Sequence, residues 1–202
     1  MKDKYGREIT ELRISITDEC NLRWLYCMPE DEGWLAKDSS LMSADEIVEI
    51  TAEAVKLGIS KVRITGGEPL IRPDVIDICR RISSLPGVKE LAVTTNGMLL
   101  KDLAYPLKEA GVSRLNISLD TLQTEKYTKI TRKGNFQDVA EGIRLAAKAG
   151  LTPIKINTVL IGGINDCEIR DFGELTRTDT VEVRFIELMP NGAGAAFPQT
   201  AF

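Results

Sequence analysis

Six short stretches of this chain alternate apolar and polar residues one by one, and that alternation restricts the fold more than any other feature. They read LRISIT (12–17), KVRIT (61–65), ELAVTT (90–95), RLNISLD (114–120), PIKINTVL (153–160) and VEVRFIEL (181–188). A period of two belongs to a strand, and it sets Leu12, Ile14 and Ile16 against Arg13, Ser15 and Thr17. Val62 and Ile64 oppose Arg63 and Thr65, and Leu91 and Val93 oppose Ala92, Thr94 and Asn96. Leu115, Ile117 and Leu119 oppose Asn116, Ser118 and Asp120; Ile154 and Ile156 oppose Lys155 and Asn157; Val181, Val183 and Phe185 oppose Glu182 and Arg184.

Helical patterns lie between these strands. Ser43-Ala44-Asp45-Glu46 has the spacing of a capping box and opens a helix with apolar residues at Ile47, Ile50, Ala54 and Leu57, stopped by Gly58. Pro73 suits the first turn of the next, whose apolar face is Val75, Ile78, Cys79 and Ile82. A third spans about 101–110, with a kink expected at Pro106. Phe136, Val139, Ala140, Ile143 and Ala147 form a stripe that ends at Gly150, and Ile169, Phe172 and Leu175 mark a shorter last helix.

Strands and helices in strict succession predict parallel strands with right-handed crossovers. A sheet covered by helices on both faces has strands that run continuously apolar, and a closed eight-stranded barrel fills its interior with branched apolar residues. Neither matches a sheet with one polar face, and burying that face dry would be costly. The predicted fold is therefore α/β, an incomplete (β/α)6 TIM-like barrel with a wet interior that takes large polar ligands at the C-terminal ends of its strands. Residues 1–190 read as one domain and 191–202 as an irregular tail; Trp34, in the long loop from 28 to 42, reads as a packing residue.

Composition removes several function classes. The formal net charge is -4 with a pI near 5.1, which argues against a nucleic-acid surface. No apolar run has membrane-spanning length and no secretory leader is visible, so a cytoplasmic protein without a membrane partner is expected. There is no histidine, which excludes a Ser-His-Asp triad and imidazole acid-base chemistry. The 4 cysteines suit metal binding or buried thiols better than disulfides. Cys79 falls on an apolar helix face and reads as core; Cys167, near a helix start, reads as incidental.

Cys20 and Cys27 bracket CNLRWLYC just after the first strand, where α/β sites form. On spacing alone they fit two unpaired loop thiols as well as a metal pair. RITGGEP, 63–69, follows the second strand, and its two glycines permit a close backbone approach or merely a strand-to-helix turn. With Trp24 read as Cys, the first stretch becomes C-x-x-x-C-x-x-C and resembles the signature of the radical S-adenosylmethionine (SAM) superfamily. LRISITDECN, YCMP, RITGGEPLIR, TTNG, NISLDTL, KINTVLIGGIND and RFIELMP, in that order, resemble the GTP cyclase family of molybdenum cofactor biosynthesis over nearly the whole chain.

That resemblance implies a radical SAM core with a [4Fe-4S] cluster on Cys20 and Cys27, the third ligand position being occupied by Trp24. It implies SAM contacts from Tyr26, Gly67, Ser118 and Met189, and GTP contacts from Arg13, Arg63, Thr94 and Lys155. Three inward cations in an acidic protein suit a triphosphate. Further implications are an electron donor such as flavodoxin or ferredoxin and a downstream cyclic pyranopterin monophosphate synthase; a homodimer is compatible with them. Two departures stand out. Indole cannot ligate iron, so Trp24 predicts that no stable four-iron cluster forms. The family's C-terminal second-cluster region has no counterpart, since Cys79 and Cys167 do not match it. The readings that follow are an impaired GTP cyclase, a SAM- and GTP-binding pseudoenzyme, or a phosphate-binding barrel whose cysteines are irrelevant.

Overall fold

The computed structural model describes residues 2–27, 41–178 and 180–189. Trp34, most of the long loop and the 191–202 tail lie outside the described residues. Six strands, β1 (Glu11–Ser15), β2 (Lys61–Thr65), β3 (Glu90–Thr95), β4 (Arg114–Ser118), β5 (Ile154–Leu160) and β6 (Val181–Glu187), form one sheet in sequence order. Every neighbouring pair is parallel. Among the described residues no ladder joins β6 back to β1, so the barrel is incomplete, as the alternating strands predict.

The crossovers carry α1 (Ala44–Lys56), α2 (Val75–Ser83), α3 (Leu100–Glu109), α4 (Thr124–Thr131), α5 (Phe136–Lys148) and α6 (Ile169–Leu175). The capping box forms: the Glu46 amide donates to Ser43 Oγ at 3.2 Å and the Ser43 amide to Glu46 Oε2 at 2.7 Å. Behind the sheet, Ile14, Val62, Ile64, Leu91, Val93, Leu115, Ile117, Ile154 and Ile156 are buried against Ile47, Ile78, Ile82, Leu100, Leu107, Val139 and Phe172. Each such aliphatic side chain contributes about 1.5–3 kcal/mol on removal from water. The closest helix contact, α3 on α5, depends on Gly142, where a Cβ would lie 2.8 Å from that of Leu100. Cys79 is part of this core, and burial pushes its thiol up to about 12.

Three expectations are corrected. Ile50 and Leu57 do not join the apolar face of α1: they are 46% and 62% exposed, and the face that packs on the core carries buried Ile47 and Thr51 with Ala44 and Val48 partly buried beside them. Ile169 is likewise exposed, leaving Phe172 to anchor α6. α4 was not expected at all. Its sequence, TEKYTKIT, is mostly polar and is held by three buried side chains, Tyr127, Ile130 and Thr131. Pro106 lies inside α3, which continues to Glu109 and closes with the Ala110 amide donating to the Pro106 carbonyl at 2.9 Å.

Candidate functional site

Register brings the polar strand residues together. Arg13 is the partner of Arg63, Arg63 of Ala92, and Ala92 of Arg114. Two residues further along, Thr94 partners Asn116, Asn116 partners Lys155, and Lys155 partners Glu182. A third row runs Ser118, Asn157, Arg184. Partners in a parallel ladder share a face, and alternate residues return to it. Arg13, Arg63, Thr94, Ser118 and Lys155 therefore all project from the side of the sheet away from the helices. Arg63 pairs with Glu11, Arg114 Nε donates to Glu90 Oε1 at 2.7 Å, and Lys155 Nζ lies 3.1 Å from Glu182 Oε2. Arg13 has no ion-pair partner among the described residues. The Nε of Arg63 is buried without a hydrogen-bond partner. Arg114, Asn116 and Arg184 belong to the same surface; Asn116 and Arg184 open two of the quoted motifs, and Arg114 stands outside them.

At the C-terminal ends, two turns lock together. The amides of Gly67 and Glu68 donate to the carbonyls of Thr17 and Glu19, both at 2.7 Å. A Cβ at Gly66 would meet the Thr17 carbonyl oxygen at 2.6 Å, and one at Gly67 would overlap that of Glu19. The close approach that these glycines allow is thus first an approach of the chain to itself. Glu68, 1% exposed, accepts from the Thr95 hydroxyl at 2.7 Å and from the amides of Asn96 (2.6 Å) and Leu70 (3.0 Å). Burial pushes its carboxyl up, against these three hydrogen bonds.

The cysteine loop continues from that turn. The Leu22 amide donates to Cys20 Sγ at 3.5 Å, and buried Arg23 donates from Nη1 to the Cys20 carbonyl at 2.6 Å. The Arg23 and Leu25 amides donate to the Thr131 and Ile130 carbonyls, so the loop is anchored on the end of α4. Asn96 Nδ2 donates to Asn21 Oδ1 at 2.7 Å. Burial raises the thiol pKa of both cysteines, and for Cys20 the neighbouring Glu68 and Cys27 add to the rise. The Tyr26 hydroxyl reaches Asp120 Oδ2 at 2.5 Å, while Asp120 Oδ1 accepts from the Val159 amide at 2.8 Å. Asp120 is wholly buried, and burial pushes it up to about 7. Met189, just past β6, is exposed.

Residues 14–176 match the model of the radical SAM superfamily. The chain belongs to that superfamily. It is 51% identical over 193 residues to a GTP 3',8-cyclase of Peptoclostridium acidaminophilum, covering 96% of this chain and 59% of the relative. It is 48% identical over 202 residues to a GTP 3',8-cyclase of Alkaliphilus metalliredigens, covering 100% of this chain and 63% of the relative. The chain thus spans about three fifths of the length of these curated relatives. Its fold resembles that of methylornithine synthase (PylB), with a TM-score of 0.70 at 19% identity over 91% of this chain and 55% of that one. Streptococcus suis SuiB bound to S-adenosylmethionine gives a TM-score of 0.66 at 21% identity over 87% of this chain and 38% of that one.

The radical SAM family implies a [4Fe-4S] cluster and SAM. The residues of this radical SAM chain do not fit a cluster held by three thiolates. Trp24, the middle position, is buried in the core. Its ring lies 6.0 Å from that of Tyr127 in an edge-on contact and 6.0 Å from that of Tyr26. The hydroxyl of Tyr127 is buried beside it with no hydrogen-bond partner. Among the described residues no group of three Cys, Asp or Glu side chains is placed to hold a metal. Sequence reasoning missed Glu68, Asp120 and Arg114. Glu68 and Asp120 stand inside the quoted motifs, but their roles depend on partners 27 to 94 positions away.

Proposed function

We propose that this chain is the nucleotide-binding core of a GTP 3',8-cyclase of molybdenum cofactor biosynthesis, in which Trp24 impairs the assembly of the catalytic cluster. The observation that supports it most is the inward row of Arg13 and Arg63, with Lys155 on the same face, in a chain about half identical to proteins of that name. In this reading Arg13, Arg63 and Lys155 bind the triphosphate of GTP through charge-assisted hydrogen bonds, and Thr94 holds the nucleoside. Tyr26, Gly67, Ser118 and Met189 contact SAM. Cys20 and Cys27 supply two thiolates, and the indole at position 24 supplies none. The electron donor of flavodoxin or ferredoxin type, the downstream synthase, a cytoplasmic location, a homodimer and the division at residue 190 belong to the same proposal.

Calorimetric titration of the chain with GTP tests it. Measurable heat that is lost in Lys155→Met and Arg63→Met supports a GTP chamber; no heat for the unmodified chain overturns it. A second reading, a pseudoenzyme that binds SAM and GTP without radical chemistry, is favoured by the way the Trp24 ring is accommodated among Tyr26 and Tyr127. The two part on Trp24→Cys. A cluster that cleaves SAM in the reconstituted variant supports the cyclase, and a variant that binds iron yet leaves SAM intact supports the pseudoenzyme.

A further inference from the structure

Three of the inward cations are already engaged. Arg63 pairs with Glu11, Arg114 with Glu90, and Lys155 with Glu182. These three carboxylates are not equivalent. Glu11 and Glu90 are the first residues of β1 and β3 and share a row with Lys61, at the N-terminal end of the sheet. Glu182 instead shares the row of Thr94, Asn116 and Lys155, four residues nearer the C-terminal ends of the strands. It also lies between two cations, 3.1 Å from Lys155 Nζ and 3.7 Å from Arg184 Nη2. Its side chain is 49% exposed whereas that of Lys155 is 15% exposed, so the acid is the more solvated partner of the pair. Among the described residues β6 is a terminal strand of the sheet.

We propose that Glu182 is a specificity-determining residue of the chamber: its carboxylate holds Lys155 and Arg184 as a resident anion and competes with an incoming polyphosphate for them. The inference rests on the reading of this face as a nucleotide-binding chamber. It adds that affinity is held below what the cations alone would give, and that the penalty rises with phosphate number. A ligand with one or no phosphate gains little from displacing a carboxylate. A triphosphate carries enough charge to displace it and to engage both released cations.

Glu182→Gln removes the charge and keeps the shape. The test is titration of the chain and this variant with GTP, GDP, guanosine and inorganic triphosphate at low and high salt. GTP and triphosphate should bind on the order of tenfold more tightly to the variant at low salt, GDP less so and guanosine unchanged, with the gain shrinking at high salt. Glu182→Asp, which keeps the charge, should bind GTP as the unmodified chain does, and thermal melts of both variants control for folding. Unchanged or weaker GTP binding by Glu182→Gln overturns the inference alone, as does equal tightening of guanosine. If neither the chain nor the variant binds GTP or triphosphate, the nucleotide chamber itself is refuted and the inference with it. Binding by the variant only would support the inference while counting against GTP binding by the unmodified chain.

Discussion

The Tyr26 hydroxyl donates to Oδ2 of Asp120 at 2.5 Å, joining the cysteine loop to the end of β4 across 94 positions of sequence. Asp120 is buried and Tyr26 partly so, and each depends on the other. Tyr26→Phe leaves one carboxylate oxygen of Asp120 without a partner, which costs about 1–3 kcal/mol. Urea unfolding at pH 8 is the measurement, and an unchanged midpoint would refute the coupling.

Asp120 also carries a pH signature. Its ordinary pKa is 3.8 and burial pushes it up to about 7, so the folded state retains a proton that the unfolded state has lost. Below about pH 4 both states are protonated and the carboxyl makes no difference. As pH rises from there through about 7, stability falls, by on the order of 4 kcal/mol if the shift is fully expressed, and then levels off. Asp120→Asn removes this dependence. The stability of the variant minus that of the parent, followed by urea unfolding from pH 5 to 8, should therefore rise with pH; a flat difference would show that Asp120 does not titrate in this window.

Gly67→Ala tests the locked turns. The added methyl would overlap the Glu19 carbonyl oxygen, which is backbone and cannot swing away. The variant should lose at least about 2 kcal/mol and loosen the cysteine loop through the Gly67 and Glu68 amides. Hydrogen exchange at residues 17–23 reads the loosening directly. Protection equal to that of the parent would mean that the turn yields without disturbing its neighbour.

These cases show what a linear sequence discloses. The inward face was legible because the strand period is fixed by backbone geometry, so Arg13, Arg63 and Lys155 could be put on one side before any pairing was known. Arg114 shares the face of Asn116 by the same period and was missed because its ion pair with Glu90 comes only from register. α4 was missed because its weak intrinsic pattern is overridden by the burial of Tyr127 against Trp24. Ile50 and Leu57 were over-assigned, since a helix at the rim of a sheet needs only a narrow apolar stripe. The glycine pair announced a close approach, but which chain approached was visible only once Thr17 and Glu19 were in place. Glu68 and Asp120 were opaque, because a buried carboxylate is defined by distant partners.

Trp24→Cys should have opposite effects on stability and on iron. Without metal it removes a large buried ring from contact with Tyr26 and Tyr127, at about 3–5 kcal/mol for a truncation of this size. With iron and sulfide under anaerobic conditions it completes the three-thiolate set, and the variant should gain bound iron, broad visible absorption and a cluster EPR signal that the parent lacks. A variant as colourless as the parent would show that the loop around Cys20 and Cys27 has lost more than one ligand.

Among the described residues the sheet that carries all of this ends in two unpaired margins, β1 and β6. A closed ring fixes its own circumference through its hydrogen bonds, whereas an arc can widen or narrow by changing twist between neighbours. The spacing between Arg13 on the first strand and Arg184 on the last is therefore set by helix packing outside the sheet, and α6, with Phe172 as its one buried anchor, is the loosest part of that girdle. The bore of the chamber is an elastic quantity, governed from the rim.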